Sequence, residues 1–193
     1  MSLDFAVFSA GIDESGRGSL AGPVYAAAVI LDDKHPIRGL ADSKLLNKNK
    51  REQLSVIIKE KSLSWAIGIA SAEEIDNLNI LQATLLAMRR AVLGLSKKPS
   101  IALVDGNISP YLDCPVKTIV GGDRLVQSIS AASILAKTER DAEMLRLHLQ
   151  YPHYGFDQHK GYCTSQHLRL LRLHGPCIFH RKSFSPVREV IGL

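Results

Sequence analysis

Cysteine is scarce in this chain of 193 residues. The three present, Cys114, Cys163 and Cys177, are too few and too odd in number for a disulfide framework, and they fit a reducing compartment. Long apolar runs are missing as well. No stretch reaches the roughly 18 residues that a membrane span requires. The start, Met1-Ser2-Leu3-Asp4, lacks the basic residues and apolar stretch of a signal peptide, so a cytoplasmic location and no membrane contact are expected. Repeats, linkers and low-complexity tracts are absent too. A single domain over 1–193, with a sizeable core, is therefore expected. The 46% hydrophobic and 22% charged content is ordinary for a globular chain.

The formal charge of +5 is unevenly placed. Residues 151–193 carry six Lys/Arg against Asp157 and Glu189, which accounts for four of the five charges, and hold five of the seven histidines. A basic end on a nearly neutral chain suggests a polyanionic partner, although a solvated surface has the same composition. Cys163, His167, His174 and Cys177 can be read as four zinc ligands, but their spacing fits no common zinc pattern, and ordinary half-buried thiols are the better reading.

Apolar patterning predicts strands over Phe5–Asp13, Val24–Leu31, Leu63–Ala70, Ile101–Val104 and Val116–Val120. Helical spacing marks Asn49–Lys61 and Asn79–Leu95. Leu125, Ile129, Ala132 and Ala136 mark one face of a long helix reaching Gln150. This order implies an α/β fold, a mixed five-stranded sheet flanked by helices. The last 43 residues, 151–193, are expected to form a basic helical appendage beside the sheet.

Three strand ends carry carboxylates within two residues of a glycine: Asp13-Glu14, Asp105 and Asp123. If the strands are neighbours, four carboxylates converge at the sheet edge where ligands bind in open α/β sheets. Crowded carboxylates raise one another's pKa unless a cation intervenes. Hard oxygen donors suit Mg²⁺ or Mn²⁺, and two such ions about 4 Å apart serve phosphodiester hydrolysis. Asp and Gly also simply make turns, so spacing alone leaves both readings open. Asp13 and Glu14 should leave opposite faces of a strand, and the chain is expected to end its strand between them. Gly16 and Gly18 permit such a bend, and Arg17 offers a fork of donors for phosphate. Gly16-x-Gly18-x-x-Ala21 also matches a dinucleotide fingerprint, but the Pro23-Val24-Tyr25 continuation favours a strand over the helix that fingerprint needs.

Gly11-Ile12-Asp13-Glu14-Ser15-Gly16-Arg17-Gly18, followed by Ala21-Gly22-Pro23-Val24, resembles the opening motif of bacterial ribonuclease HII, a type 2 ribonuclease H. Asp42-Ser43-Lys44, Val104-Asp105-Gly106, Gly122-Asp123, Ser130 to Lys137 with Arg140-Asp141, His159-Lys160-Gly161-Tyr162 and His180-Arg181-Lys182-Ser183-Phe184 continue the likeness to about residue 187. The resemblance implies a ribonuclease H-like fold with a C-terminal helical region. It implies cleavage of RNA in RNA–DNA hybrids, and nicking 5′ of single ribonucleotides embedded in duplex DNA. By motif, Asp13, Glu14, Asp105 and Asp123 would be catalytic metal ligands, with two Mg²⁺ or Mn²⁺ ions when substrate is bound. Gly16, Arg17 and Gly18 would read the 2′-hydroxyl, and Tyr162 would stack on the deoxyribose beyond the RNA–DNA junction. That agrees with the 2′-hydroxyl being what separates RNA from DNA. Lys44, Lys160, Arg181 and Lys182 are candidates for phosphate contact. A monomer is expected.

Several positions depart from the family pattern: Ser15 for alanine, Ser19 for proline, Gly121 for lysine and Cys163 for glycine, with Arg124 a candidate to replace the lost charge. Two rival readings remain at this level, a DNA junction nuclease on the same fold and a non-catalytic nucleic-acid-binding module.

Overall fold

The computed structural model describes residues 8–40 and 46–192. Five strands, β1 (Ser9–Ser15), β2 (Val24–Ile30), β3 (Ser64–Ala70), β4 (Ile101–Asp105) and β5 (Val116–Ile119), form one sheet in the order β3-β2-β1-β4-β5. β1 lies at the centre. It runs antiparallel to β2 and parallel to β4, which is parallel to β5. The mixed sheet is thus the expected one. The C-terminal ends of β1, β4 and β5 share one edge, because all three strands point the same way.

Helix α1 (Lys48–Lys61) precedes β3, and α2 (Ala72–Leu78) and α3 (Ile80–Leu93) follow it. After β5 come the single turn α4 (Gly122–Leu125) and the long α5 (Gln127–Gln150). β2 is buried along its whole length, and its residues alternate between two cores. Ala26 and Ala28 join Ile12 and the Ala83, Ala87 and Met88 face of α3. Ala27 and Val29 pack with Leu54 and Ile58 of α1 and Ala131 and Leu135 of α5. Small side chains let α5 approach the sheet closely: a Cβ on Gly11 would sit 2.1 Å from the backbone carbon of Ser128.

α2 is absent from the periodicity reading, although Ser71-Ala72-Glu73-Glu74 carries its start. Ser71 accepts from the Glu74 N–H, and the Glu74 carboxylate accepts from the Ser71 N–H, a reciprocal cap. The long helix expected from Leu125 is interrupted, because Val126 is extended at φ −127°, ψ 118°. Leu125 is exposed rather than on the buried face. The break gives Asp123 its own short turn.

The C-terminal region contains α6 (Phe156–His159), α7 (Ser165–His174) and α8 (Ser185–Ile191). It is knitted to the loop between β1 and β2 rather than appended to the sheet. Backbone bridges join Ser19 to Tyr162 and Ala21 to His180. Leu20 exchanges hydrogen bonds with Gly161 and Arg181, and the Gly22 N–H donates to Phe179. Leu20 and Ala21 are buried in two small cores made with this region.

Candidate active site

β1 and β4 are in register with Ile12 beside Val104, so Asp13 and Asp105 leave neighbouring strands at one edge. Asp123 arrives from α4, held by Gly121 in the left-handed conformation at φ 68°. One ligand oxygen from each of Asp13, Asp105 and Asp123 lies within 4.8 Å of the others. Asp13 and Asp105 are anchored through their carboxylates, and Asp123 through its backbone. Asp13 accepts from the Glu14 N–H at 2.7 Å and from Ser133 on α5. Asp105 accepts from the Gly122 N–H at 2.7 Å, which ties β4 to α4. The Asp123 carbonyl accepts the Ser130 hydroxyl, tying α4 to α5.

The strand does not end between Asp13 and Glu14, contrary to the expectation from sequence. β1 continues to Ser15, which pairs with Tyr25. The two acids therefore leave opposite faces. Asp13 shares the α5 face with Gly11. Glu14 shares the α3 face with Ile12 and stands outside the three-carboxylate group. Its carboxylate meets Arg17 at 3.4 Å and, with Asp105, rims a cleft of about 120 Å³ floored by Leu81 and Leu85. Burial, then repulsion from Glu14 and Asp105, holds the Asp13 carboxyl well above the usual carboxylate range. Burial also raises Glu14, against the opposing pull of Arg17. A buried, mutually repelling oxygen cluster fits a divalent cation, which would neutralise it.

The turn after β1 is equally constrained. Gly16 has φ 98°, and a Cβ there would lie 2.0 Å from Nε of Arg140. No side chain fits. Arg17 and Gly18 are exposed, and nothing lies within 4 Å of a Cβ on Gly18, so the turn presents open backbone beside the acids. Tyr162 stands next to this turn through its bridge to Ser19. The Arg140 guanidinium lies 5.1 Å from the Tyr162 ring centre and the Lys137 ammonium 5.4 Å.

The model of the family described as Ribonuclease HII matches residues 10–187. The chain belongs to the ribonuclease HII family. A ribonuclease HII of Bordetella pertussis is 63% identical over 93% of this chain and 89% of its own length. One from Nitrosospira multiformis is 64% identical over 94% and 92%. The ribonuclease H2 of Pyrococcus horikoshii, 24% identical over 94% of this chain and 96% of its own, shares the fold with a TM-score of 0.79. The protein is accordingly a ribonuclease H enzyme with the ribonuclease H-like fold, and the non-catalytic and junction-nuclease readings fall. No helix among the described residues is long and apolar enough to cross a membrane.

Within this ribonuclease HII fold, Arg181 requires a correction. It is fully buried and cannot meet a phosphate. Its Nη2 donates to the Gly16 carbonyl at 2.7 Å, Nη1 to Arg17 at 2.9 Å and Nε to Gly22 at 3.0 Å. It holds the glycine turn from beneath. Lys182 is exposed, and its N–H donates to Asp76. Lys160 is half-buried, with its ammonium on the Asp157 carbonyl, and burial lowers its pKa. Lys44 lies outside the described residues. Cys163 is exposed, and the zinc reading has no geometric support: the ligand group found among the described residues is the three aspartates.

Arg140 is the residue whose part the motif reading misses. Fully buried, it donates from Nη2 to the Ser19 hydroxyl at 2.8 Å and to the Lys160 carbonyl at 3.0 Å, and from Nε to Pro23 at 3.3 Å. It binds the β1–β2 turn to the segment that carries Tyr162. The departure at Ser19 thus has a function here, since proline would offer Arg140 no hydroxyl. At Gly121 the neighbouring Arg124 guanidinium lies close enough that a Cβ would come 2.9 Å from Nη2, so a cation does cover the position where lysine is usual. A fully buried arginine one turn after Ala136-Lys137 is visible in sequence only as a charge among small residues.

Proposed function

We propose that this enzyme cleaves the RNA strand of RNA–DNA hybrids and nicks duplex DNA on the 5′ side of a single embedded ribonucleotide. The observation that carries the reading is the convergence of Asp13, Asp105 and Asp123 within 4.8 Å beside a backbone-open turn whose next residue, Ser19, bridges to Tyr162. The three aspartates, with Glu14 at the margin, would hold divalent cations, Mg²⁺ or Mn²⁺. When bound, such ions supply activation of water and stabilisation of the departing oxygen in phosphodiester hydrolysis. The chain's own residues do the rest. Ser133, Gly122 and the Glu14 N–H fix the direction of the carboxylates. The Gly16–Gly18 backbone reads the 2′-hydroxyl, and the exposed Arg17 takes a neighbouring phosphate. Tyr162 packs against the sugar that lacks a 2′-hydroxyl, and Lys44, Lys160 and Lys182 position the duplex.

The test is a DNA duplex with one ribonucleotide, assayed in Mg²⁺ or Mn²⁺ with and without EDTA. The expected product is a nick 5′ of the ribonucleotide, with a 3′-hydroxyl and a 5′-phosphate, abolished by EDTA. Asp123→Ala should lower kcat by at least about 100-fold while duplex binding persists. Cleavage in EDTA, or on the 3′ side, overturns the reading.

A further inference from the structure

Behind Tyr162 lies a set of buried histidines that the proposed chemistry does not use. His167 and His180 are 0% and 1% exposed. Nδ1 of His167 faces the Tyr162 carbonyl at 3.0 Å. A carbonyl only accepts, so Nδ1 carries the proton. In a neutral ring Nε2 is then an acceptor, and its partner, Nε2 of His180 at 3.1 Å, must be the donor. That leaves Nδ1 of His180 as an acceptor, and it receives the Cys177 N–H at 3.0 Å. One proton pattern satisfies every atom in the ladder, running from the Cys177 backbone through two rings to the Tyr162 carbonyl. His159 stacks on His167, with ring centres 4.2 Å apart and planes at 15°.

The Tyr162 carbonyl already accepts from the Thr164 N–H at 2.9 Å, so His167 is not needed merely to satisfy it. A second donor adds direction. Direction matters here because Tyr162 follows two left-handed residues, Lys160 at φ 49° and Gly161 at φ 78°. A non-glycine residue keeps such a conformation only where its surroundings over-determine it. Each peptide group from 160 to 162 is tied accordingly: the Lys160 carbonyl to Arg140, the Gly161 N–H to Nδ1 of His159, the Gly161 carbonyl to the Leu20 N–H and the Tyr162 N–H to the His159 carbonyl.

We propose that His167 is a positioning residue for substrate choice: by tying the Tyr162 carbonyl to the buried His180–Cys177 ladder, it fixes where the tyrosine ring stands beside the Gly16–Gly18 turn. The assignment rests on the reading of Tyr162 as the sensor of the deoxyribose beyond the junction.

Two near-isosteric substitutions separate the two ends of His167. In His167→Asn the amide nitrogen stands where Nδ1 was and keeps the tie to Tyr162. In His167→Gln the amide reaches the Nε2 position, keeps His180 and releases Tyr162. The readout is kcat/KM on a duplex with one ribonucleotide relative to kcat/KM on an all-RNA hybrid, alongside the melting temperature. His167→Gln should lower the ratio about fivefold, the worth of one hydrogen bond. His167→Asn should keep the ratio within about twofold even where it lowers the melting temperature. Equal ratios in the two variants, or losses on both substrates in step with the melting temperature, overturn the proposal. Tyr162→Ala tells the two failures apart. An unchanged ratio in Tyr162→Ala overturns the sensor reading and the proposal with it. A collapsed ratio there, with none in His167→Gln, overturns the proposal alone. Should His167→Gln fold too poorly to assay, His180→Gln unhooks the far end of the ladder. A selective fall on the single-ribonucleotide duplex then supports the assignment, and a parallel fall on both substrates overturns it.

Discussion

At the scale of single residues, the same side-chain chemistry serves two ends that sequence does not separate. Arg181 and Lys182 are adjacent in a basic run and look alike as phosphate ligands. In the fold one is buried under the Gly16–Gly18 turn and the other is exposed. The difference is one of direction: Arg181 follows the Ala21–His180 bridge, and its side chain turns inward to three backbone carbonyls. The four acids were legible as candidates because each lies within two residues of a glycine near the end of an apolar strand. Their unequal roles were not, since the separation of Glu14 from the aspartates depends on β1 continuing to Ser15. Arg181→Lys replaces the planar fork with a single ammonium that cannot span the Gly16, Arg17 and Gly22 carbonyls together. It should cost about 3 kcal/mol and lower the melting temperature by roughly 10 °C. In Arg181→Met, which removes the charge, the substrate affinity of the folded fraction should keep its salt dependence. A slope of log affinity against log salt that falls by about one would instead return Arg181 to the phosphate contacts.

At the scale of elements, the spacing of apolar residues located the strands and the two amphipathic helices, because each has one face in a core. It was weaker where a local contact decides the boundary. The α2 cap is written in Ser71 and Glu74, yet the helix is only seven residues long and has too few turns for a periodic signal. The break at Val126 is set by the tie from Ser130 to the Asp123 carbonyl, seven residues back in sequence, and not by any breaker residue. The α5–β1 contact is the element on which the site depends. It brings Ser133 to Asp13, and through Ser130 it brings α4 to the same edge. Gly11 makes that contact possible. Gly11→Ala should push α5 off the strand, costing about 3 kcal/mol or more in urea unfolding, and the folded fraction should lose nicking activity as Asp123 moves away from Asp13. Gly18→Ala, where a Cβ meets nothing within 4 Å, is the matched control and should unfold at the wild-type midpoint. Equal midpoints for the two variants would mean that α5 does not need the glycine.

For the whole molecule, the sheet order makes three parallel strand ends into one edge, and the C-terminal region closes over the turn at that edge. The first was readable from the strand pattern, since an acid after each strand has a function only if the strands are neighbours. The second was not, because the region after α5 contacts the β1–β2 loop through backbone bridges and buried histidines that in sequence pass for surface charge. Those histidines give the closure a pH signature. Burial pulls His167 down to about 4 and His180 to about 3 from the ordinary 6.5. The unfolded chain therefore takes up protons that the folded chain refuses. Stability is full above about pH 6.5 and is lost as pH falls through the interval towards those lower values. By pH 5 the loss is ~2 kcal/mol for each histidine. Asp13 and Glu14, held above their usual range, act in the opposite sense, because the folded state protonates them first. The informative measurement is accordingly a difference. Urea midpoints of the wild type and of His180→Gln, taken from pH 7 to pH 5, share the contribution of the acids. The wild type should lose about 2 kcal/mol more than the variant over that range. Parallel slopes would show that His180 titrates alike in the folded and unfolded chains, and that the ladder behind Tyr162 is open to protons.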